Sequence, residues 1–538
     1  MRKIYAIMTV LMLMIAAEAQ TLKVTTDNGT YQFPATGMTE NSPAIFTGGT
    51  ILTIADDAFN ITDVTSISVV SNSSSSVENN TVNIVYDGST ATVTMADNVA
   101  PYVSATVSGA HVTITQSNTS DVDGKEITYQ LSGTSTDGSL TLNGSYKCTI
   151  SLAGVTLTNP SGPAINISNK KRIELSAKNG TENVLTDGAD ANESWKGCIY
   201  SKGQLQLQGK GSLTVNGNTK HAIKSGDYIT VKNLTLNVRS TVGDGISCNK
   251  YFVMNSGTVT ITSSGDDGIQ CDIEEDDTVT GETTDHEDEN SGNVYILGGT
   301  INASVTGSSA KGLKSAGNMS ISGGEITASS TNNEAIESEG SLTISGGYVY
   351  AYANDDAINS AGDFTITGGY VMANSSGNDG LDANGNLYIK GGNVFAVATS
   401  QPEVGIDANT EGGKKLYITG GNIVAIGGFE GGASISGGTA KSASYNKGTW
   451  YGLYNGNTLA FAFKVPSNSR MGSSMAVYTT DTPELMSGVT GDGTSFWNGY
   501  GYTSASGGTS VTLSNYNSGG GGPGGGGGPG GGPGGGWR

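Results

Sequence analysis

Eight times between Ala222 and Ala408 the chain repeats one four-residue phrase: a small residue, Ile or Leu, a polar residue, and a second small one. Ala222-Ile223-Lys224-Ser225, Gly245-Ile246-Ser247-Cys248, Gly268-Ile269-Gln270-Cys271 and Gly312-Leu313-Lys314-Ser315 are followed by Ala335-Ile336-Glu337-Ser338, Ala357-Ile358-Asn359-Ser360, Gly380-Leu381-Asp382-Ala383 and Gly405-Ile406-Asp407-Ala408. The Ile/Leu anchors are spaced 23, 23, 44, 23, 22, 23 and 25 residues apart. A period of that length, built from short apolar runs and turns, predicts an all-β solenoid whose coils bury their apolar sides only against one another.

The rest of each repeat completes the coil. After an anchor comes an alternating run closed by a glycine pair, such as Leu342-Thr343-Ile344-Ser345-Gly346-Gly347, and then a further strand, Tyr348-Val349-Tyr350-Ala351-Tyr352. One coil of about 22–25 residues therefore reads as three short strands, with Gly supplying unusual backbone angles at one corner. The 44-residue gap keeps the second strand, Asn293-Val294-Tyr295-Ile296, in step with its neighbours. It reads as one coil carrying an inserted acidic loop, around Asp272 to Asn290, rather than a missing repeat.

Residues 20–80 read as an N-terminal β segment and linker, 82–430 as the coils, and 431–517 as a β-rich C-terminal cap dense in aromatics. The Gly/Pro-rich stretch 518–538 reads as a disordered tail. Residues 1–19 have the form of a secretory signal peptide: Arg2-Lys3, an apolar run from Ile4 to Ala16, and Ala17-Glu18-Ala19 before the cut. The expectation is an exported protein, at the surface, in the periplasm or secreted, with no membrane span. A formal net charge of −21 without a basic block makes nucleic acid and anionic membranes poor partners. Four cysteines in an exported chain raise the question of disulfides. Cys248 and Cys271 share one column of adjacent coils, to be bridged or to form a buried ladder of small side chains.

Gly133-Thr134-Ser135-Thr136-Asp137-Gly138, Leu152-Ala153-Gly154-Val155-Thr156-Leu157-Thr158-Asn159, Gly180-Thr181-Glu182-Asn183-Val184-Leu185-Thr186-Asp187-Gly188 and the Gly265-to-Ile269 phrase give the chain a family likeness. It resembles a family of exported carbohydrate-binding β-helix proteins over about residues 82–430. Members are similar in fold to pectate lyases, bind polysaccharides such as cellulose and pectin, and carry calcium. The resemblance implies a right-handed parallel β-helix and a polysaccharide partner.

The position two before the anchor is repeatedly acidic, at Asp244, Asp267, Glu334, Asp356 and Asp379. Acids one coil apart repel by roughly 3 kcal/mol at ~5 Å and an effective dielectric near 20. A Ca²⁺ ion, which collects several oxygens in flexible geometry, would relieve this. The candidate ligands are Asp244, Asp266, Asp267, Asp272, Asp355, Asp356, Asp379, Asp382 and Asp407. Solvated turn aspartates are the plainer alternative.

Two surfaces suggest glycan binding. Strict alternation would turn the small residue before each anchor outward, giving a flat strip bordered by Lys224, Gln270, Lys314, Glu337 and Asn359. On another face Tyr348, Tyr350, Tyr352 and Tyr370 would offer rings for stacking. Catalysis has thin support: a lyase needs a base beside the metal, and Arg239 is the one arginine close in sequence to a corner acid. The resemblance thus favours a calcium-carrying polysaccharide binder over a pectate-lyase-like enzyme or a structural surface solenoid.

Overall fold

Alternating Ile/Val/Leu with Thr/Ser gives strands nearly everywhere. The computed structural model describes residues 20–34, 45–47, 51–54, 57–71, 77–189, 194–263, 265–273 and 289–517. Residues 1–19, expected to be a signal peptide, residues 274–288 of the acidic loop and residues 518–538 lie outside the described residues. Among the described residues the regular structure is all β apart from a 3-10 turn at Ala100–Tyr102. No helix among them is long and apolar enough to cross a membrane. The chain divides into two compact units, 1–354 and 355–538.

In the first unit the anchor strands form one ladder. Gly138–Gly144, Ile165–Ile167, Gly197–Ser201, His221–Ser225, Ile246–Cys248, Ile269–Cys271, Leu313–Ser315 and Ile336–Ser338 pair in parallel, each with the next. The glycine-pair strands pair likewise from Ile229–Lys232 through Tyr251–Met254 and Asn293–Ile296 to Leu342–Ile344. So do the third strands, from Leu234–Ser240 to Tyr348–Ala353. From Ile165–Ile167 onward, each of these strands thus pairs with the strand three places later. Ile269–Cys271 and Leu313–Ser315 are direct partners, so the long gap is one coil with an insertion.

Ile223, Ile246, Ile269, Leu313 and Ile336 are each fully buried, and each contributes roughly 1.5–3 kcal/mol of apolar burial. Beside them runs a column of Ser225, Cys248, Cys271, Ser315 and Ser338, all fully buried. The four cysteines are free, and the small-side-chain ladder describes Cys248 and Cys271. The serines are satisfied by corner carbonyls: the Ser225 hydroxyl lies 2.8 Å from the Gly203 oxygen and the Ser338 hydroxyl 3.0 Å from that of Gly317.

At the glycine corner the second Gly is left-handed, with φ of 80° at Gly299, 88° at Gly324 and 82° at Gly347. A Cβ on Gly347 would stand 2.7 Å from the Gly324 carbonyl oxygen. The N-terminal end changes direction: Ala110–Gln116 is antiparallel to Val103–Ser108, which is antiparallel to Gly29–Pro34. Gln20–Thr26 lies between Gly29–Pro34 and Val64–Ser71, antiparallel to both.

In the second unit Ile358–Ser360 pairs in parallel with Leu381–Ala383, and single bridges extend the row to Ile406 and Phe429. Phe364–Ile366 and Tyr370–Ser375 both pair in parallel with Leu387–Val397, which pairs with Leu416–Ile426. Met475–Thr479 then closes antiparallel on Leu416–Ile426. A separate six-stranded sheet includes Trp450–Asn455, Thr458–Lys464, Pro483–Ser487, Thr490–Phe496 and Gly501–Ser506. The aromatics in and beside that sheet are largely core: Tyr451, Phe461, Phe463 and Trp497 are all buried, as is Tyr478 on Met475–Thr479.

Candidate functional site

The corner before each anchor is a hydrogen-bonded column. The Asp244 N–H donates to His221 Nδ1 (3.1 Å), and the Lys311 N–H to Asp267 Oδ1 (2.6 Å). In the second unit the Asp379 N–H donates to Asp356 Oδ1 (3.0 Å) and the Val404 N–H to Asp379 Oδ1 (2.6 Å). A side chain here therefore binds the backbone of the following coil. This is a structural reason for Asp at a turn, and it occupies only one of the two carboxylate oxygens.

In the first unit, carboxylate oxygens of Asp244, Asp266 and Asp267 lie within 4.8 Å of one another. Asp244 is 1% exposed and its Oδ2 receives no hydrogen bond. His221 Nδ1 is 3.1 Å from that oxygen, yet the same nitrogen already accepts the Asp244 N–H. Burial pushes Asp267 up to about 8, against the Lys311 N–H, with Asp244 and Asp266 adding to the rise. Burial, then Asp244, also raises Asp266. Asp272 stays outside this triad. It is half-buried and accepts a hydrogen bond from Gln270 (2.9 Å).

The second unit gathers more acid. Oxygens of Asp379, Asp382 and Asp407 lie within 4.8 Å of one another. Burial raises Asp356 to about 9, with Asp382, Asp379 and Asp355 adding to it. Burial and a hydrogen bond with Glu430 raise Asp407 to about 9. Asp379 is pushed to about 8 by burial, opposed by the Val404 N–H and helped by Glu403, Asp382 and Glu430. Asn359 Nδ2 donates to Asp382 Oδ2 (2.7 Å), and Asn378 Nδ2 to Asp355 Oδ1 (2.8 Å).

Glu403 and Glu430 were not foreseen. Gly428-Phe429-Glu430-Gly431 is the repeat phrase with Phe as anchor, a change that a search for Ile or Leu passes over. The bridge from Ile406 to Phe429 sets Glu430 beside Asp407.

Both clusters suit a hard cation. Their donors are carboxylate oxygens, one of them buried without a partner, and buried like charges need neutralising. Each close triad offers three residues, so a six- to eight-coordinate ion would need additional oxygens.

The polar residues after the anchors form the register row Tyr200–Lys224–Ser247–Gln270–Lys314–Glu337. They are tied to one another and to the corners. Lys224 Nζ donates to Ser247 Oγ (3.1 Å) and to Asn249 Oδ1, Lys314 pairs with Glu339 (3.0 Å), and Lys311 with Glu337 (3.3 Å). The row is half-exposed except Ser247, which is buried.

Two expectations are corrected. The small residues before the anchors do not form an outward strip: Ala222 and Ala335 are fully buried, and a Cβ on Gly245 would meet Ile261 Cγ2 at 2.6 Å. The chain bends at the corner, so residue and anchor both turn inward and alternation fails there. Nor do the tyrosines make one open platform. Tyr350 is 7% exposed against 37% for Tyr352, while Tyr348 is half-buried. Tyr370 packs on Phe496 and Trp497, with ring centroids at 4.7 and 6.3 Å. The outward side of a strand is solvent only where no second layer covers it. Arg239 projects from an exposed position of the third-strand row, between Asn216 and Thr262.

Comparison with known proteins gives consistent matches. A family described as carbohydrate-binding domain-containing protein matches residues 108–380, just over half of the chain. A protein of that description from Acetivibrio thermocellus is 27% identical over 120 residues, which cover 21% of this chain and 42% of that relative. Among solved structures, the polysaccharide lyase-like protein from C. thermocellum, as a gadolinium derivative, is 24% identical with a TM-score of 0.40. That alignment covers 49% of this chain and 96% of the other.

Proposed function

Because this chain belongs to the family of carbohydrate-binding domain-containing proteins, we propose that it is an exported, non-catalytic polysaccharide-binding protein that carries calcium and takes plant cell-wall glycans such as cellulose or pectin. On this reading the parallel rows wind as a right-handed β-helix, and the glycan lies along the row containing Lys224, Gln270, Lys314 and Glu337. The observation that carries it is the family match itself, whose span includes this row and the Asp244/Asp266/Asp267 triad.

Side chains one strand spacing apart, ~4.8 Å, offer repeated donors and acceptors to a repeating chain of hydroxyls. Asp244, Asp266 and Asp267 would hold one calcium ion, and Asp379, Asp382 and Asp407 another, with Asp356 and Glu430 adjoining the second. Calcium there neutralises the clustered carboxylates. It also lets a strongly acidic protein approach an anionic glycan.

The test is retention of the purified mature protein on insoluble cellulose and on polygalacturonate, each with calcium and with chelator. Ultraviolet absorbance of unsaturated products is followed in parallel. Retention without product supports the reading. Product formation makes the protein a lyase, and absence of retention on both polymers refutes glycan binding of this class.

A further inference from the structure

Charge is unevenly placed along this chain. Residues 147–250 carry 13 of its 27 Lys and Arg but 7 of its 48 Asp and Glu, a net of +6, which leaves −27 on the rest. Lys170-Lys171-Arg172 is contiguous in that stretch, and the coil repeat gathers further lysines around it. Ile173–Ala177, Leu205–Gly209 and Ile229–Lys232 pair in parallel, each with the next. Their inward side chains are buried, and Glu174, Ser176, Gln206, Gln208, Thr230 and Lys232 face outward.

Lysines flank this sheet at both ends. Lys170 and Lys171 lead into the first strand and Lys202 into the second. These corners stack tightly, since a Cβ on Gly203 would lie 2.4 Å from the Lys170 carbonyl oxygen. Lys178 and Lys210 follow the first two strands, and a Cβ on Gly211 would lie 2.3 Å from the Lys178 oxygen. These five lysines and Lys232 are exposed, and none makes an ion pair or side-chain hydrogen bond among the described residues. Other cations nearby are already matched: Lys147 (3.0 Å) and Arg172 pair with Glu126, and Lys250 with Asp227 (3.5 Å). The acids beside the six lysines are Glu174, on the face, and Glu182, past the Lys178 corner. The balance here is strongly positive.

We infer that this face is a calcium-independent docking surface for an anionic polysaccharide, a uronate polymer running along the stack of coils. It deepens the polysaccharide-binding reading and rests on it, adding a second face and a class of glycan. Lys170 and Lys202, like Lys178 and Lys210, recur one coil apart, ~4.8 Å, comparable to the advance of one sugar along an extended chain. Between them Ser176, Gln208 and Thr230 make no side-chain hydrogen bond among the described residues, so their donors and acceptors are open to sugar hydroxyls. The outward residues include no aromatic ring for a nucleic-acid base and no apolar side chain for a bilayer. Charge density points the same way. Duplex DNA presents one charge per ~1.7 Å, which the −27 elsewhere would repel. A uronate polymer carries one charge per sugar, a density that one or two lysines per coil can answer.

Retention of the full mature chain on polygalacturonate in chelator tests this, with cellulose, a single-stranded oligonucleotide and added calcium as further arms. The variants are Lys202→Glu/Lys210→Glu, its conservative counterpart Lys202→Arg/Lys210→Arg, and Lys390→Glu/Lys414→Glu. The last pair lies in the second unit, is exposed, and makes the same change in net charge. Wild type should be retained by polygalacturonate in chelator and released at about 1 M salt, where the screening length falls to ~3 Å. Reversal at Lys202 and Lys210 should weaken retention about tenfold, while the arginine and second-unit pairs bind like wild type. Cellulose retention should be the same for all four proteins. Equal retention by all four in chelator, an equal loss in both reversed pairs, or wild-type retention only with calcium or on cellulose overturns this face and spares the broader reading. Oligonucleotide retention as strong as that of polygalacturonate overturns the uronate assignment. Chelator-resistant retention that the Lys202/Lys210 reversal removes, with none added by calcium and none on cellulose, upholds the face and removes the calcium-bridged anchor row.

Discussion

Asp267 gives the sharpest test of the carboxylate centres. Its carboxyl is 3% exposed and is raised by burial to about 8, from an ordinary value of 3.8. Without metal, the folded state keeps this proton to about pH 8, whereas the unfolded chain releases it near 3.8. The stabilising contribution is complete below pH 3.8 and declines as pH rises, until it is lost above about 8. Integrated over that window, about four pKa units set a ceiling of about 6 kcal/mol. Water penetration and relaxation of Asp244 and Asp266 make several kcal/mol the realistic scale.

Asp267→Asn removes the titration, and its amide oxygen can still accept the Lys311 N–H. In chelator the variant and wild type should be about equally stable at pH 4. By pH 9 the variant should be more stable by several kcal/mol. Calcium should reverse the order near neutrality, because only wild type gains the linkage term, about 4 kcal/mol at a thousandfold excess over Kd. Urea denaturation followed by intrinsic fluorescence, at pH 4, 7 and 9 with and without calcium, reads all of this. Parallel wild-type and variant pH profiles in chelator, or a variant less stable at every pH, would refute the reasoning.

Further outcomes follow from the packing. Cys248→Ser and Cys271→Ser should change stability by less than about 1 kcal/mol in chemical denaturation, since serine already fills that column. Ser338→Val should lose about 1 kcal/mol by removing the hydroxyl's bonds to the Gly317 and Ser341 carbonyls, each of which keeps a backbone N–H donor. Gly347→Ala should destabilise by about 3 kcal/mol, from the left-handed backbone and the close Gly324 oxygen. Tyr350→Ala should cost about 3–5 kcal/mol and Tyr352→Ala less than about 0.5 kcal/mol, reversing a ranking by platform exposure. Each is read from the urea midpoint at constant m-value.

The anchors, glycine corners and coil length were legible because each is set by a local rule repeated many times. Ile246 and Ile269 are buried in register, and Gly347 takes the backbone angle its position requires. Three features escaped for identifiable reasons. Two-residue alternation assumes an extended chain, and the bend before each anchor turned Ala222 and Gly245 inward. The covering of Tyr370 by Phe496 and Trp497 comes from a segment far along the chain, which a repeat cannot encode. Glu430 was hidden by a Phe anchor. The acidic corners were visible, but their hydrogen bonds to the next coil were not, because these join residues 23 to 44 positions apart.

The reversal of strand direction at the N-terminal end also governs assembly. A row of parallel strands templates its own extension: its terminal edge presents unpaired amides and carbonyls in the register a further copy could continue. Here that edge belongs to Ala110–Gln116, and Val103–Ser108 occupies it running the opposite way. Growth is arrested by a strand that cannot be mistaken for another coil. A truncated chain beginning after Val107 would regain a propagating end on this row, and end-to-end fibres rather than simple unfolding are the failure that loss of residues 1–107 would produce.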